Sequence, residues 1–332
     1  MKAAFIRKYG GSEVVELGNL PTPEPGPSDL LIRVHAASVN PVDFKIRDGM
    51  LKTLLPYRFP LILGNDLAGT VVGLGGAVKR FEKGDEVFAR LDRQRIGSFA
   101  EYALVDESNA ATKPANLRFD EASSIPLVGL TSWQALVDLA RLSPGQRVLI
   151  HAGSGGVGTF AIQLAKSLGA TVATTVSERN IELVRRLGAD IVIDYRRQRF
   201  EDVLHDYDVV FDTLGEDTQL RSFAVLKRGG ALVTIAGVPT ARFMREWGAS
   251  TWVVGYAAWA NRKAVRLAKR HDVRFEYLLM HPDGMQLAEI GKLLSDGRIV
   301  PVIDKVFSLD LVREALAHSE SGRAVGKVIV QP

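Results

Sequence analysis

The sequence contains no cysteine. That absence excludes disulfides and every zinc site built on thiolates. Histidine is scarce as well, with 6 among 332 residues and none at metal-ligand spacing, so no metal is expected. Positive charge is barely in excess: 42 Lys and Arg against 38 Asp and Glu leave a net charge of +4. The surplus is scattered in pairs such as Arg185-Arg186, Arg196-Arg197 and Lys269-Arg270, without a basic stripe interleaved with aromatics. A nucleic-acid partner is therefore not expected. Long apolar runs are also missing. The stretch Trp247 to Ala260 is shorter than the ~20 residues that a spanning helix needs, so no membrane partner is expected. It holds three of the four tryptophans, which makes it a candidate pocket wall or subunit interface, and a homodimer is a possible assembly. Near the N-terminus only four apolar residues separate the charges, too few for a signal peptide, and the expected location is cytoplasmic.

What is present is ordinary globular material: 46% hydrophobic and 24% charged residues, enough for a sizeable core, at a length that suggests two domains. The first third reads as short strands punctuated by Gly and Pro: Lys2–Arg7, Leu30–Ala36, Ala68–Leu74, Glu86–Arg90 and Phe99–Val105. After Pro114 the pattern changes. Glu121–Leu139 has helical spacing with a break near Pro126. Strands and helices then alternate: Arg147–His151, Val157–Ser167, Thr171–Val176, Asn180–Leu187, Ile191–Asp194, Asp208–Asp212 and Ala231–Ile235. This is the rhythm of a doubly wound parallel sheet. The tail reads as strand Phe275–Met280, helix Met285–Leu294, helix Leu309–Ser319 and strand Val328–Gln331.

The strongest local motif is Gly153-Ser154-Gly155-Gly156-Val157-Gly158. It follows an apolar strand and opens an amphipathic helix, the setting in which a G-x-G-x-x-G pattern binds a dinucleotide. The first glycine permits a tight turn, the second lets backbone approach the pyrophosphate, and the third lets helix pack on strand. The second strand, Thr171–Val176, ends at Ser177, followed by Glu178 and Arg179. A small hydroxyl leaves room for a 2′-phosphate that Arg179 can pair with, which favours NADPH. Glu178 is the competing reading, as an acid for the ribose of NADH.

Several motifs in order widen the picture: Ala37–Lys45 (ASVNPVDFK), Gly64–Gly69 (GNDLAG), Gly84–Val87 (GDEV), Gly97–Tyr102 (GSFAEY), the Ala152–Gly158 loop, Leu187–Asp190 (LGAD) and Gly322–Lys327 (GRAVGK). With these the chain resembles the medium-chain dehydrogenase/reductase superfamily, and within it the zinc-independent quinone oxidoreductases, close in pattern to alkenal/enone oxidoreductases. The resemblance covers nearly all of the sequence. It implies an α/β protein: a GroES-like β-rich domain over 1–125 and 300–332, and a Rossmann domain over 126–299, with the active cleft between them. The zinc enzymes of the superfamily have a cysteine near Asn40 and Gly-His-Glu in place of Gly64-Asn65-Asp66. Both ligands are missing here.

The same resemblance implies residue roles. Asn40 and Lys45 lie near nicotinamide and substrate, and Thr131 touches the nicotinamide end. Gly155, Gly156 and Val157 hold the pyrophosphate. Ser177, Arg179 and Tyr195 surround the 2′-phosphate, and Leu278 and Met280 reach the carboxamide through backbone groups. Ser154, Leu214, Gly215, Ala236, Gly237, Arg323 and Ala324 complete the expected cofactor contacts. Two departures stand out: Phe243–His271 is longer than the compact plant pattern and rich in tryptophan, and Asn180 stands where relatives often have lysine.

Hydride delivery to an enone or quinone puts negative charge on a carbonyl oxygen, which a cation or donor stabilises. Lys45 is the candidate, Tyr57 a second donor, and water can protonate the enolate. The expected activity is NADPH-dependent reduction of a quinone or an α,β-unsaturated carbonyl compound. A zinc-free aldehyde or ketone reductase and a non-catalytic NADPH-binding protein remain the alternatives.

Overall fold

A computed structural model describes residues 1–332. The chain forms two units, Met1–Leu130 with His281–Pro332, and Thr131–Met280.

The first unit is built on strands β1 (Lys2–Ile6), β2 (Glu16–Asn19), β3 (Asp29–Val39), β4 (Leu61–Ile62), β5 (Asp66–Leu74), β6 (Glu86–Arg90), β7 (Tyr102–Asp106) and β8 (Ala110–Thr112). The returning tail adds two strands, counted below as β15 (Ile303–Ser308) and β16 (Lys327–Gln331). β2, β1 and β4 form a small sheet, and the others a seven-stranded sheet in the order β15-β16-β3-β5-β6-β8, with β7 on β3. β3 is long enough to serve three partners. Its first half pairs with β7, its last residues with β16, and most of its length with β5. Leu30, Ile32 and Val34, two residues apart and thus on one face of the strand, join Leu67, Val71, Val87, Val328 and Val330 in one apolar core. The final strand thus completes the β-rich unit. Its antiparallel register sets Val328 opposite Val39, which carries Lys327 to the end of β3.

The second unit holds β9 (Arg147–Ile150), β10 (Thr171–Val176), β11 (Ile191–Asp194), β12 (Tyr207–Asp212), β13 (Leu226–Thr234) and β14 (Arg274–Tyr277). All pair in parallel, in the order β11-β10-β9-β12-β13-β14. Counted within the unit, that is the 3-2-1-4-5-6 order of a doubly wound sheet, and the order reverses between β9 and β12.

The structure moves some expected boundaries. Residues 281–299 belong to the first unit, because helix Gly284–Ser295 packs there. A Cβ on Gly284 would strike the Ser108 and Ala110 carbonyls, and Gly291 lies against the Phe88 ring. β7 begins at Tyr102 instead of Phe99, because Phe99 is bonded to the small sheet through Leu63 and Ala4. β14 stops at Tyr277 instead of Met280, since its partner β13 ends at Thr234 and the chain turns at Gly237 with φ +77°. The expected break at Pro126 is present, with helices Phe119–Ser123 and Pro126–Trp133 on its two sides and a π-helical turn at Gln134–Leu139.

Candidate functional site

The glycine loop leaves the carboxyl end of β9, beside the reversal of strand order where open α/β sheets bind their ligands. Its three glycines have different reasons to be there. Gly153 is not left-handed; Ala152 takes that conformation, with φ +51°. Gly153 is required instead by packing, since a Cβ would run into Thr174 Oγ1 and lie 3.0 Å from Ile162. The turn expected of the first glycine is thus made one residue earlier. Gly158 is pressed onto the Gly153 backbone, where a Cβ would fall 2.7 Å from its Cα, and this lets helix Gly156–Ser167 sit on the strand. Gly155 differs from both, because its Cβ would meet only the Ala152 carbonyl oxygen at 3.4 Å. Protein packing does not require that glycine; a ligand approaching the loop would. The first-turn amides of Gly156, Val157 and Gly158 have no carbonyl a turn before them and are free to bind an anion.

Beneath the loop lies a hydrogen-bond relay that the sequence did not announce. The Ala152 N–H donates to Thr175 Oγ1 at 3.2 Å, and Thr175 is 3.1 Å from His151 Nδ1. His151 Nε2 is 2.8 Å from Ser222 Oγ, whose proton goes to the Thr218 carbonyl at 2.7 Å. Because Ser222 spends its proton there, it accepts from Nε2–H, and Nδ1 accepts from Thr175. Burial pushes the imidazole down to about 4 from 6.5. An imidazole with a lowered folded-state pKa contributes stability in full above about 6.5 and loses it as pH falls toward 4. The shift corresponds to about 3 kcal/mol. Thermal unfolding read by tryptophan fluorescence, with all four tryptophans in this unit, is expected to fall in midpoint across that window. His151→Gln is expected to flatten the dependence, and an unchanged slope would remove His151 as its source.

Parallel pairing sets Val176 beside Asp194, so the residues after the two strands, Ser177 and Tyr195, become neighbours. The Tyr195 N–H bonds to the Val176 carbonyl at 3.2 Å, and its ring is exposed. Ser177 is buried, and Asn180 links this corner to the glycine loop by donating to Ser154 Oγ at 2.9 Å. Glu178, the rival for a ribose hydroxyl, pairs with Arg197 at 2.8 Å. Arg179 is exposed and unpaired.

The loops after β12 and β13 are organised by Asp212, which sequence reasoning overlooked. Its buried carboxylate accepts from the Leu214 and Gly215 amides at 3.0 and 2.9 Å, from Gln219 at 3.1 Å and from Thr234 Oγ1 at 2.8 Å. Thr234 in turn accepts from the Ala236 amide at 3.1 Å. Gly215, with φ +75°, lies against Ala236 and Gly237, so the four expected residues of these loops come together. Thr131, Leu278 and Met280 are buried. The Leu278 N–H is committed to the Thr234 carbonyl at 2.9 Å, which leaves it unable to serve a ligand.

In the first unit, Asn40 is not an available catalytic amide. It is the hub of a buried charged network. Its side chain donates to Asp66 Oδ2 at 2.9 Å and to the Ser38 carbonyl at 3.2 Å, and accepts from Lys327 Nζ. Its N–H goes to Asp43 Oδ2 at 2.7 Å, and Asn65 Nδ2 donates to the other Asp43 oxygen. Arg90, also buried, bonds the Leu91 carbonyl. Burial raises the Asp43 carboxyl to about 7 and raises Asp66, and it lowers Lys327 and Arg90. Tyr57 is committed as well, its hydroxyl donating to the Arg93 carbonyl at 2.6 Å, and burial pushes it up to about 12. Lys45 is exposed on helix Pro41–Arg47 with its ammonium group unpaired. Arg323 is exposed and Ala324 half-buried at the start of the last turn before β16.

A family model described as "Alcohol dehydrogenase GroES-like domain" matches residues 26–115, and one described as "Zinc-binding dehydrogenase" matches residues 187–330. The 2-methylene-furan-3-one reductase of Solanum lycopersicum is 35% identical, over 100% of this chain and 79% of its own length. The NADPH-dependent alkenal/one oxidoreductase, chloroplastic, of Arabidopsis thaliana is 35% identical, over 100% of this chain and 80% of its own. The solved quinone oxidoreductase from Coxiella burnetii superposes with a TM-score of 0.86 at 33% identity, covering 100% of this chain and 99% of that one. The residues here do not suit the zinc of the second family description. Asn65 and Asp66 are drawn into a network that already contains two cations, and no three His, Cys, Asp or Glu side chains cluster to hold a metal.

Proposed function

Since the chain belongs to the medium-chain dehydrogenase/reductase superfamily, among its quinone and alkenal/enone oxidoreductases, we propose that it uses NADPH to reduce quinones or α,β-unsaturated carbonyl compounds. That it is an oxidoreductase follows from the family. The choice of NADPH is carried by one observation: at the end of β10 the acid is engaged by Arg197 and the arginine is left unpaired. An exposed guanidinium two residues after Ser177 suits a phosphate dianion, and Arg197 competes for the carboxylate that would otherwise accept from a ribose hydroxyl.

When bound, the nicotinamide supplies the hydride; the protein supplies binding and charge. The amides of Gly156, Val157 and Gly158 would hold the pyrophosphate at the helix N-terminus. Of the three side chains proposed for the reaction, Asn40 and Tyr57 already spend their polar atoms internally, which leaves Lys45 to stabilise the oxyanion. Water protonates the enolate, and no buried acid is needed.

The test is NADPH oxidation against a panel of quinones, enones and saturated aldehydes. Turnover of the conjugated compounds alone is expected. Lys45→Met is expected to lower kcat by about a hundredfold to a thousandfold, as loss of one oxyanion-stabilising group does, with NADPH affinity retained. Equal turnover of saturated aldehydes would overturn the substrate class, and an unchanged kcat would remove Lys45 from the reaction.

A further inference from the structure

Between β13 and β14 the second unit carries the helices Thr251–Ala260 and Arg262–His271. The hydrogen-bond run passes through Asn261, whose N–H reaches the Ala257 carbonyl at 3.0 Å and whose carbonyl accepts from Val265 at 2.9 Å. Helical phase therefore carries from one helix to the next. Ala257, Asn261, Ala264 and Ala268 are buried at spacings of four, three and four, so they form one inward face. The Asn261 side chain fixes it by donating to the Val238 and Pro239 carbonyls at 3.2 and 3.1 Å.

Half a turn away, the outward face reads Trp252, Tyr256, Trp259, Lys263, Arg266, Arg270, at the same alternating spacing. The three aromatics are 88%, 59% and 60% exposed. The three cations are exposed and have no carboxylate partner. Arg262 flanks them, with its guanidinium 4.5 Å from the centre of the Trp259 ring. From 241 to 271 there are seven Lys and Arg against one acid, Glu246, which Arg242 neutralises at 3.0 Å.

We propose that this face docks on the surface of a bilayer containing anionic lipid. Tryptophan and tyrosine prefer the headgroup region, where ring and polar tip are both accommodated, and the cations that continue the same face meet the lipid phosphates. Charge complementarity selects this occupant. A second copy of the chain would bring the same cations and no acid to the face, whereas anionic headgroups neutralise it. The lack of a spanning segment is no obstacle: no helix is long and apolar enough to cross a membrane, and surface docking needs none.

The test is flotation of the full chain with phosphatidylcholine vesicles, with and without phosphatidylglycerol. Binding is expected only with phosphatidylglycerol, weakening as salt rises, with a blue shift of tryptophan emission. Lys263→Gln/Arg266→Gln/Arg270→Gln is expected to weaken binding by about a hundredfold, at roughly one surface charge interaction per cation. Trp252→Ser/Tyr256→Ser/Trp259→Ser is expected to abolish it. These side chains are exposed, and circular dichroism is the check that each variant is folded. No binding to the anionic vesicles, or binding that neither variant weakens, would overturn the proposal. So would a dimer in light scattering that the serine variant dissociates while vesicles go unbound, since the face would then join two copies.

Discussion

Lys327→Met is expected to destabilise the first unit by about 3–5 kcal/mol, the usual cost of removing one partner from a buried charged set. Lys327 is buried, and its ammonium group bonds the Val39 carbonyl at 3.0 Å and Asn40 Oδ1 while facing Asp66 and Asp43. Methionine fills much of the space but leaves two buried carboxylates with Arg90 as the remaining nearby cation. Against a total stability on the order of 5–15 kcal/mol the loss is large. Urea unfolding followed by far-ultraviolet circular dichroism reads it; fluorescence would report the other unit, which holds every tryptophan.

Two features separate an electrostatic cause from poor packing. Adding Asp66→Asn keeps an acceptor for Ser38 and Asn40 while removing one charge, so the double variant is expected to regain more than half of the loss. The cost is also expected to grow with pH. Burial holds the Asp43 carboxyl at about 7, and Lys327 is one of the groups that keep it from going higher. A carboxyl raised on folding contributes stability below its unfolded value near 3.8, and that contribution is lost as pH rises through the folded value. Without Lys327 the folded value climbs further, so the variant loses more at pH ~8 than at pH ~5. A loss independent of pH and not rescued by Asp66→Asn would show that the lysine acts through packing alone.

Arg179→Ala is expected to weaken NADPH binding by about ten- to a hundredfold and to leave NADH nearly unchanged. A charged hydrogen bond contributes roughly 1.5–3 kcal/mol, and each 1.4 kcal/mol is a factor of ten. The cofactor without the 2′-phosphate offers Arg179 nothing to bind. Fluorescence titration of both cofactors against wild type and variant decides the matter. Equal losses would indicate a disturbed loop, and no loss for either would return the arginine to the plain surface. Arg197→Ala is the complementary variant: it frees Glu178 from its ion pair and is expected to improve NADH relative to NADPH.

Much of the second unit was legible because its signals are local. A buried parallel strand is a short apolar run, and a phosphate loop is a spacing of glycines at a strand–helix junction, so β9 to β13 and the loop could be read in order. The first unit was harder. Helix Pro41–Arg47 and strand β15 carry no local periodic signal in the sequence. The helix is seven residues long, too short for its period to show. β15 has no fully buried residue, so its pattern lacks a core face.

The sequence by itself determined the sheet of the second unit, the placing of its phosphate loop, the absence of thiolate ligands and the family to which the chain belongs. Only the tertiary structure decided which of the polar residues remain free to act. Asn40 is spent on Asp66, Ser38 and Lys327, the last 287 positions away, and Glu178 shares one carboxylate oxygen with Arg197. It also decided that three aromatics and three cations share one outward helical face. The physical reason is the same in each case: periodicity and spacing are properties of neighbours along the chain, whereas a polar atom's availability depends on partners that only folding brings within about 3 Å of it.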